Sequence, residues 1–179
     1  MGDLTEYEKD TLHKIARESI RAKLFGEDFN FNYEVTENLK EERGAFVTLH
    51  KNGNLRGCIG YIVPVASLHE TVKQMAVAAA FDDPRFPALS KDEFNDIEIE
   101  ISALTPLKRI GDINEIEVGK HGILIRKGYH SGVLLPQVAT DYNWDKITFL
   151  NQTCLKAGLH ESCWKDEDTE IYIFSAEVF

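Results

Sequence analysis

An Asn-Gly pair, Asn52 and Gly53, separates two apolar runs at residues 45–50 and 55–63 and constrains the fold more than any other short segment. Asparagine and glycine tolerate the positive φ of a tight hairpin turn, so the two runs are predicted to pair as antiparallel strands. Pro64 is predicted to end the second strand, because proline cannot donate a hydrogen bond to a strand ladder. The chain should therefore contain an antiparallel sheet.

Helical and strand periodicities follow one another irregularly along the rest of the chain. The patterns predict helices over residues 5–25, 67–81 and 146–156, and further strands over 97–102, 123–126, 133–138 and 171–179. Because helices interrupt the hairpins irregularly, we expect an α+β fold with a mainly antiparallel or mixed sheet flanked by helices. We expect a single domain over residues 1–179, with two lobes as an open alternative, the smaller one drawn from about 26–43 and 106–122.

Composition narrows the classes of partner. The chain has 30 Asp and Glu against 20 Lys and Arg, a formal net charge of −10, which repels phosphate backbones and anionic membranes. No nucleic acid partner is expected, and no membrane association, since no apolar stretch approaches the roughly 18 residues that span a bilayer. Three cysteines without a two-residue spacing favour a reducing compartment, so we expect a cytoplasmic protein. The histidines show no metal-binding spacing, so no metal site is predicted and the cofactor is unknown.

The second predicted strand carries a thiol between two glycines and close to a cation: Arg56, Gly57, Cys58 and Gly60. Glycine weakens a strand unless a bulge or a close approach requires it, so Gly57 and Gly60 are predicted to make room at a ligand site. A neighbouring cation lowers the pKa of a cysteine, and the thiolate is the nucleophile. Cys58 is therefore a candidate catalytic residue and Arg56 a candidate ligand-binding residue. The alternative is a buried free cysteine that packs as a small hydrophobic residue.

Three residues elsewhere are further candidates. Arg85 lies in a proline-rich loop that could present its guanidinium to a carboxylate or phosphate, or could pair with a neighbouring aspartate instead. His121 is a candidate general base toward Cys58, with a solvated turn histidine as the alternative. Gln137 is a candidate ligand-binding residue through its amide, with a structural corner as the alternative.

The run Leu55-Arg56-Gly57-Cys58-Ile59-Gly60 resembles the hallmark of the AMMECR domain family. Further matching runs follow in the same order, and together they span roughly residues 10–179: Asp83-Pro84-Arg85-Phe86-Pro87, Val118-Gly119-Lys120-His121-Gly122, Leu135-Pro136-Gln137-Val138, Trp144, and Lys156-Ala157-Gly158-Leu159 with Trp164. The resemblance implies a compact α+β protein with a larger and a smaller lobe, and places the hallmark strand near the cleft between them. It assigns no reaction, although microbial relatives are often encoded beside Memo-family proteins and radical SAM enzymes.

Two functions are consistent with these residues. The first is a ligand-binding protein or enzyme whose cleft holds a small anionic or carbonyl ligand against Arg56, Arg85 and Cys58, acting with Memo-like and radical SAM partners. The second is a noncatalytic adaptor in which the same strand supports a surface for such partners. The chain lacks a Walker motif, a dinucleotide-binding glycine fingerprint and a serine nucleophile elbow, which argues against kinases, dehydrogenases and α/β-hydrolases.

Overall fold

The computed structural model describes residues 3–179, whose contacts form two compact units. The first unit runs to Leu104 and takes in Glu177–Phe179, and the second comprises Thr105–Ala176. The described residues contain five α-helices and eight strands, which confirms the α+β fold. Residues 26–43 belong to the first unit and residues 106–122 to the second. The arrangement as one domain with two lobes stays a prediction.

The first unit is built on a four-stranded antiparallel sheet. Its hairpin turns through Asn52 and Gly53, with φ of 52° and 74°, as the Asn-Gly pair predicts. The last strand is tied to the third by reciprocal hydrogen bonds between the backbones of Ile101 and Phe179. The four strands are β1 (Ala45–Lys51), β2 (Asn54–Tyr61), β3 (Ile97–Leu104) and β8 (Ala176–Val178). Their order in the sheet is β2-β1-β3-β8.

Two long helices, α1 (Glu6–Phe25) and α3 (Leu68–Phe81), cover one face of this sheet, and the short α2 (Glu37–Lys40) packs against α3. The predicted capping box starts α1, where the side chain of Thr5 accepts from the Glu8 backbone and the Glu8 carboxylate accepts from the Thr5 backbone. Alternate residues of the strands, such as Val47 and Ile101, are fully buried beneath the helices. The residues between them lie on the other face of the sheet.

The second unit has its own four-stranded antiparallel sheet and its own core. Phe149 and Leu150 of the longer helix are completely buried in that core. The elements of this unit are β4 (Lys108–Ile110), β5 (Gly122–Lys127), β6 (His130–Leu134), α4 (Pro136–Asp141), α5 (Lys146–Lys156) and β7 (Glu170–Phe174). The order of the strands in the sheet is β4-β7-β5-β6.

Two strand predictions are wrong in their extent. The strand predicted over 133–138 ends at Leu134, and Pro136 begins α4, because proline fits the first turn of a helix, where its missing N–H has no partner. The strand predicted over 171–179 is divided between the two sheets at Ser175, where reciprocal hydrogen bonds with Thr105 interrupt it. Local alternation cannot reveal such a break, because both halves carry the same pattern.

Cys154 of α5 and Cys163 form a disulfide, and Cys58 is the free cysteine. The sequence analysis did not identify this pair, since a spacing of nine residues matches no local motif. The expected reducing compartment rested on the absence of such a motif, and the cytoplasmic location stays a prediction. None of the helices in residues 3–179 is both long and apolar enough to cross a membrane.

Candidate functional site

The glycines of the hallmark run make room for other parts of the same chain. A Cβ atom on Gly57 would lie 2.1 Å from the backbone oxygen of Ala79, so α3 crosses β2 at a distance that only glycine permits. A Cβ on Gly60 would lie 2.4 Å from the ring of Phe46. Packing therefore accounts for both glycines, and their contact with a ligand stays a prediction.

Cys58 lies on the face of the sheet opposite α1 and α3, where its thiol is partly exposed. It stands directly across from Thr48 of β1, whose hydroxyl donates to Cys58 Sγ at 3.3 Å. The arrangement therefore differs from the alternative of a buried cysteine in a purely apolar setting.

The loop after α3 pairs with the free edge of β2 at Cys58. The backbone N–H of Cys58 donates to Asp83 Oδ2 at 2.9 Å, and its carbonyl oxygen accepts from Arg85 Nη2 at 3.1 Å. These two side chains satisfy main-chain groups that an edge strand leaves without a partner. The proline-rich loop is thus ordered and fixed at the cysteine.

Asp83 and Arg85 form a bidentate ion pair, with Arg85 Nε donating to Oδ1 at 2.9 Å and Nη2 to Oδ2 at 2.7 Å. The hydrogen bonds from Arg85 keep the pKa of Asp83 far below its usual range despite the opposing effect of burial, and the N–H of Cys58 contributes. The Asp83 side chain is 2% exposed and that of Arg85 55% exposed. A buried carboxylate therefore holds an open guanidinium beside the thiol.

Arg56 forms an ion pair within the protein, and its predicted contact with a ligand stays a prediction. Its Nε and Nη2 donate to Glu93 at 3.0 and 2.9 Å, and the residue is 8% exposed. Lys51 also binds Glu93, at 3.1 Å. The hydrogen bonds from Arg56 lower the pKa of Glu93 well below its usual range. This pair ties β2 to the segment before β3, a role that the sequence alone does not predict.

The face around Cys58 brings together four further polar residues that the sequence analysis did not select. Thr48 pairs in register with both Cys58 and Glu100, so the three form one row across the sheet. His50 lies two residues along β1 on the same face and pairs with Glu98 of β3. Alternation of apolar and polar residues in β1 and β3 placed these side chains on the polar face, but only strand register aligns them with Cys58.

The other two candidates belong to the second unit. The Nδ1 atom of His121 accepts from the backbone N–H of Glu117 at 3.1 Å, and burial, opposed by the charge of Glu117, lowers the pKa of His121. Gln137 is exposed in the first turn of α4. Their roles as a general base and a ligand contact stay predictions. Within residues 3–179, no three His, Cys, Asp or Glu side chains are grouped so as to hold a metal ion.

The chain is similar in sequence to a known family and to individual proteins. The AMMECR1 family model matches residues 13–179. Protein NEQ441 of Nanoarchaeum equitans is 42% identical over 175 residues, which cover 94% of this chain and 97% of that protein. A protein of Methanothermobacter thermautotrophicus is 42% identical over 183 residues, covering 98% of this chain and 95% of its own length.

A solved structure is similar along most of the chain. The crystal structure of the uncharacterized protein PH0010 from Pyrococcus horikoshii matches with a TM-score of 0.79 and 39% identity, covering 94% of this chain and 88% of that one. The similarity extends across both units, as does the family match. The hallmark run around Cys58 is thus a correct guide to identity, and the chain belongs to the AMMECR1 family.

Proposed function

We propose that the protein binds a small ligand bearing a carboxylate or carbonyl oxygen on the polar face of the first sheet, with Cys58 and Arg85 contacting it. The observation that carries this proposal is the exposure of Arg85 beside the thiol. Its guanidinium is held by the buried Asp83, yet more than half of its side chain faces solvent. A guanidinium has five N–H donors, so Nη1 stays available to an oxygen of the ligand.

The same geometry supports a reactive thiol. The hydroxyl of Thr48 donates to the sulfur, and the guanidinium of Arg85 donates to the carbonyl oxygen of the same residue, so a hydroxyl donor and a cation both lie at Cys58. A ligand oxygen on Arg85 would bring a carbonyl carbon close to Cys58, where the sulfur could add to it: the S–C bond forms as the C=O π bond opens, and the carbonyl oxygen takes up the proton that the thiol releases, giving a tetrahedral adduct. Arg56 has no part in this proposal, because the residue is only 8% exposed and its Nε and Nη2 already donate to Glu93.

Alkylation of the native protein tests the proposal directly, because Cys58 is the free cysteine. We expect iodoacetamide at neutral pH to modify Cys58 several-fold more slowly in Thr48→Val and Arg85→Gln, with rates followed by intact mass. Arg21→Gln, which removes a surface arginine paired with Glu18, serves as the matched control and should leave the rate unchanged. Equal rates in all four proteins would count against an activated thiol.

Ligand binding is tested by protection. Pyruvate carries both a carboxylate and a carbonyl, so we expect it to slow alkylation of Cys58 in the wild type. Acetate and acetone, which carry one group each, should protect less well. Protection should be lost in Arg85→Gln, because the oxygen of the ligand then has no guanidinium to bind. Pyruvate that leaves the wild-type rate unchanged, or protects Arg85→Gln equally, would contradict the proposed contact.

A second candidate function is that of a noncatalytic adaptor, which exposed apolar side chains near the site favour. Tyr61 ends β2 with 43% of its surface exposed, and Val65 in the following segment is 63% exposed. Exposed apolar side chains that lie together are typical of protein-binding surfaces. The partners of such an adaptor would be Memo-like and radical SAM proteins, as the family resemblance suggests.

The adaptor function makes its own prediction. Val65→Asp should weaken capture of a purified Memo-like or radical SAM protein, and Cys58→Ser should leave capture intact. Val178→Asp, at another exposed valine of the same unit, is the matched control for an added charge. If neither purified protein is captured by the wild type at low salt, the adaptor function loses its support.

A further inference from the structure

A cavity of about 720 Å³ opens in the second unit beside β4 and β7, and the site proposed above does not use it. Its apolar wall consists of Trp164 and three isoleucines, Ile110, Ile113 and Ile171. Ile110 and Ile171 are buried, so this wall is continuous with the core of the unit. The volume falls within the range of about 300–1,000 Å³ that is common for small-molecule sites.

The aromatic part of the wall is fixed before any ligand arrives. Trp164 Nε1 donates to Asn151 Oδ1 at 2.8 Å, which sets the orientation of the indole. The preceding residue, Cys163, is joined to α5 by its disulfide with Cys154. The hydroxyl of Thr169 donates to the Cys163 carbonyl at 2.6 Å. A preformed wall reduces the entropy that binding would otherwise cost.

Several polar groups around the cavity are already bonded within the protein. The Asp166 carboxylate binds Lys127 Nζ at 2.6 Å and His160 Nε2 at 2.9 Å. The hydroxyl proton of Thr169 is donated to Cys163. Both contacts of Asp166 are made through Oδ2, and Lys127 offsets its negative charge, so these groups chiefly shape the cavity.

Two charged groups on the cavity lining keep hydrogen-bonding capacity. Arg109 pairs with Glu170 through Nη1 at 3.2 Å, and its other N–H donors remain for a ligand, since a guanidinium has five. Asp112 uses Oδ1 to accept from the Asn114 backbone at 2.8 Å, which leaves Oδ2 for another donor. The lining therefore offers one cation and one anion.

The sum of the nearby charges selects the ligand class. A simple anion on Arg109 would meet the negative charges of Glu170, which already binds Arg109, and of Asp112, and a simple cation on Asp112 would meet Arg109. A ligand that carries both charges satisfies both residues. We propose that this cavity binds a free α-amino acid with an apolar side chain, its carboxylate on Arg109, its ammonium on Asp112 and its side chain against Trp164. This site is independent of the one around Cys58.

Tryptophan fluorescence tests the proposal with chemically matched probes. The chain has two tryptophans, so Trp144→Phe leaves Trp164 as the reporter in an otherwise intact protein. We expect L-phenylalanine to change the emission saturably. N-acetyl-L-phenylalanine lacks the ammonium and L-phenylalaninamide lacks the carboxylate, so each should bind about tenfold or more weakly, the usual effect of losing a charged hydrogen bond.

Three substitutions in that background assign the contacts. Arg109→Gln and Asp112→Asn should each weaken L-phenylalanine about tenfold, and the asparagine still caps the turn at Asn114. Arg126→Gln removes the same charge from β5, which β7 separates from β4 and whose Arg126 does not line the cavity, and should leave the affinity unchanged. The proposal is overturned if L-phenylalanine gives no saturable change, if either analogue binds equally well, or if Arg109→Gln and Arg126→Gln have the same affinity.

Discussion

The carboxylate of Asp83 accepts the backbone N–H of Cys58 at 2.9 Å, so a side chain from the loop after α3 takes the place of a neighbouring strand. Arg85 completes the pairing at the Cys58 carbonyl and binds the same carboxylate. The hallmark strand and the proline-rich loop, distant in sequence, therefore form one structural feature. This explains how a partly exposed cysteine at the edge of a sheet keeps a fixed position.

Asp83→Asn should destabilise the first unit by about 1–3 kcal/mol, because it removes charge-assisted hydrogen bonds to Arg85 and Cys58. Asp82→Asn is the matched control, since the neighbouring Asp82 is exposed. Urea unfolding of the two variants and the wild type measures the difference. Equal losses in both variants would show that the pairing at Cys58 contributes no stability.

Acid should weaken the fold through Asp83 and Glu93. Hydrogen bonds from Arg85 and Arg56 lower the pKa values of these carboxylates in the folded protein. Their contribution is therefore fully present above the pKa of the unfolded carboxyls, about 4, and is lost as the pH falls below it. The free energy of unfolding should therefore decrease progressively as the pH falls from about 5 to lower values.

The matched comparison for this pH dependence is the double variant Asp83→Asn with Glu93→Gln. Its stability should vary less with pH across the same acidic range, because neither side chain can bind a proton there. Urea unfolding at several pH values measures both curves. Parallel curves for the variant and the wild type would mean that other carboxylates control the acid response.

Gly57→Ala should be strongly disruptive, since its Cβ would lie 2.1 Å from the backbone oxygen of Ala79. Moving α3 away from β2 costs about 1–3 kcal/mol or more, as overpacking generally does. Gly111→Ala adds the same methyl group where no atom lies within 4 Å and should change stability by less than about 0.5 kcal/mol. Thermal unfolding compares them, and insolubility of Gly57→Ala alone would agree with the prediction.

Loss of the disulfide should destabilise the second unit. Removing a cross-link that closes a loop of about ten residues costs about 2–3 kcal/mol, chiefly through the greater freedom of the unfolded chain. Cys154→Ala with Cys163→Ala should therefore unfold at lower urea than the wild type, and Cys58→Ser should have a much smaller effect. Thiol titration of the unfolded wild type should find one thiol before reduction and three afterwards, and three at the outset would contradict the disulfide.

Much of the local structure could be predicted from the sequence. The turn at Asn52 and Gly53, the capping box at Thr5 and Glu8 and the alternation from Ile97 to Ser102 depend on neighbours within a few residues, so their physical causes are visible in the chain itself. The hallmark run around Cys58 likewise identified the family. Elements that end through distant contacts, such as the strand interrupted at Ser175, were predicted less well.

The sequence by itself determined the family, the fold class and the presence of a thiol between two glycines. Only the tertiary structure decided which cation accompanies that thiol. Arg56, two residues from Cys58, is bound to Glu93, whereas Arg85 reaches it from another loop through Asp83. The physical reason is that strand register and helix packing join residues far apart in the chain, and those contacts have no local pattern to reveal them.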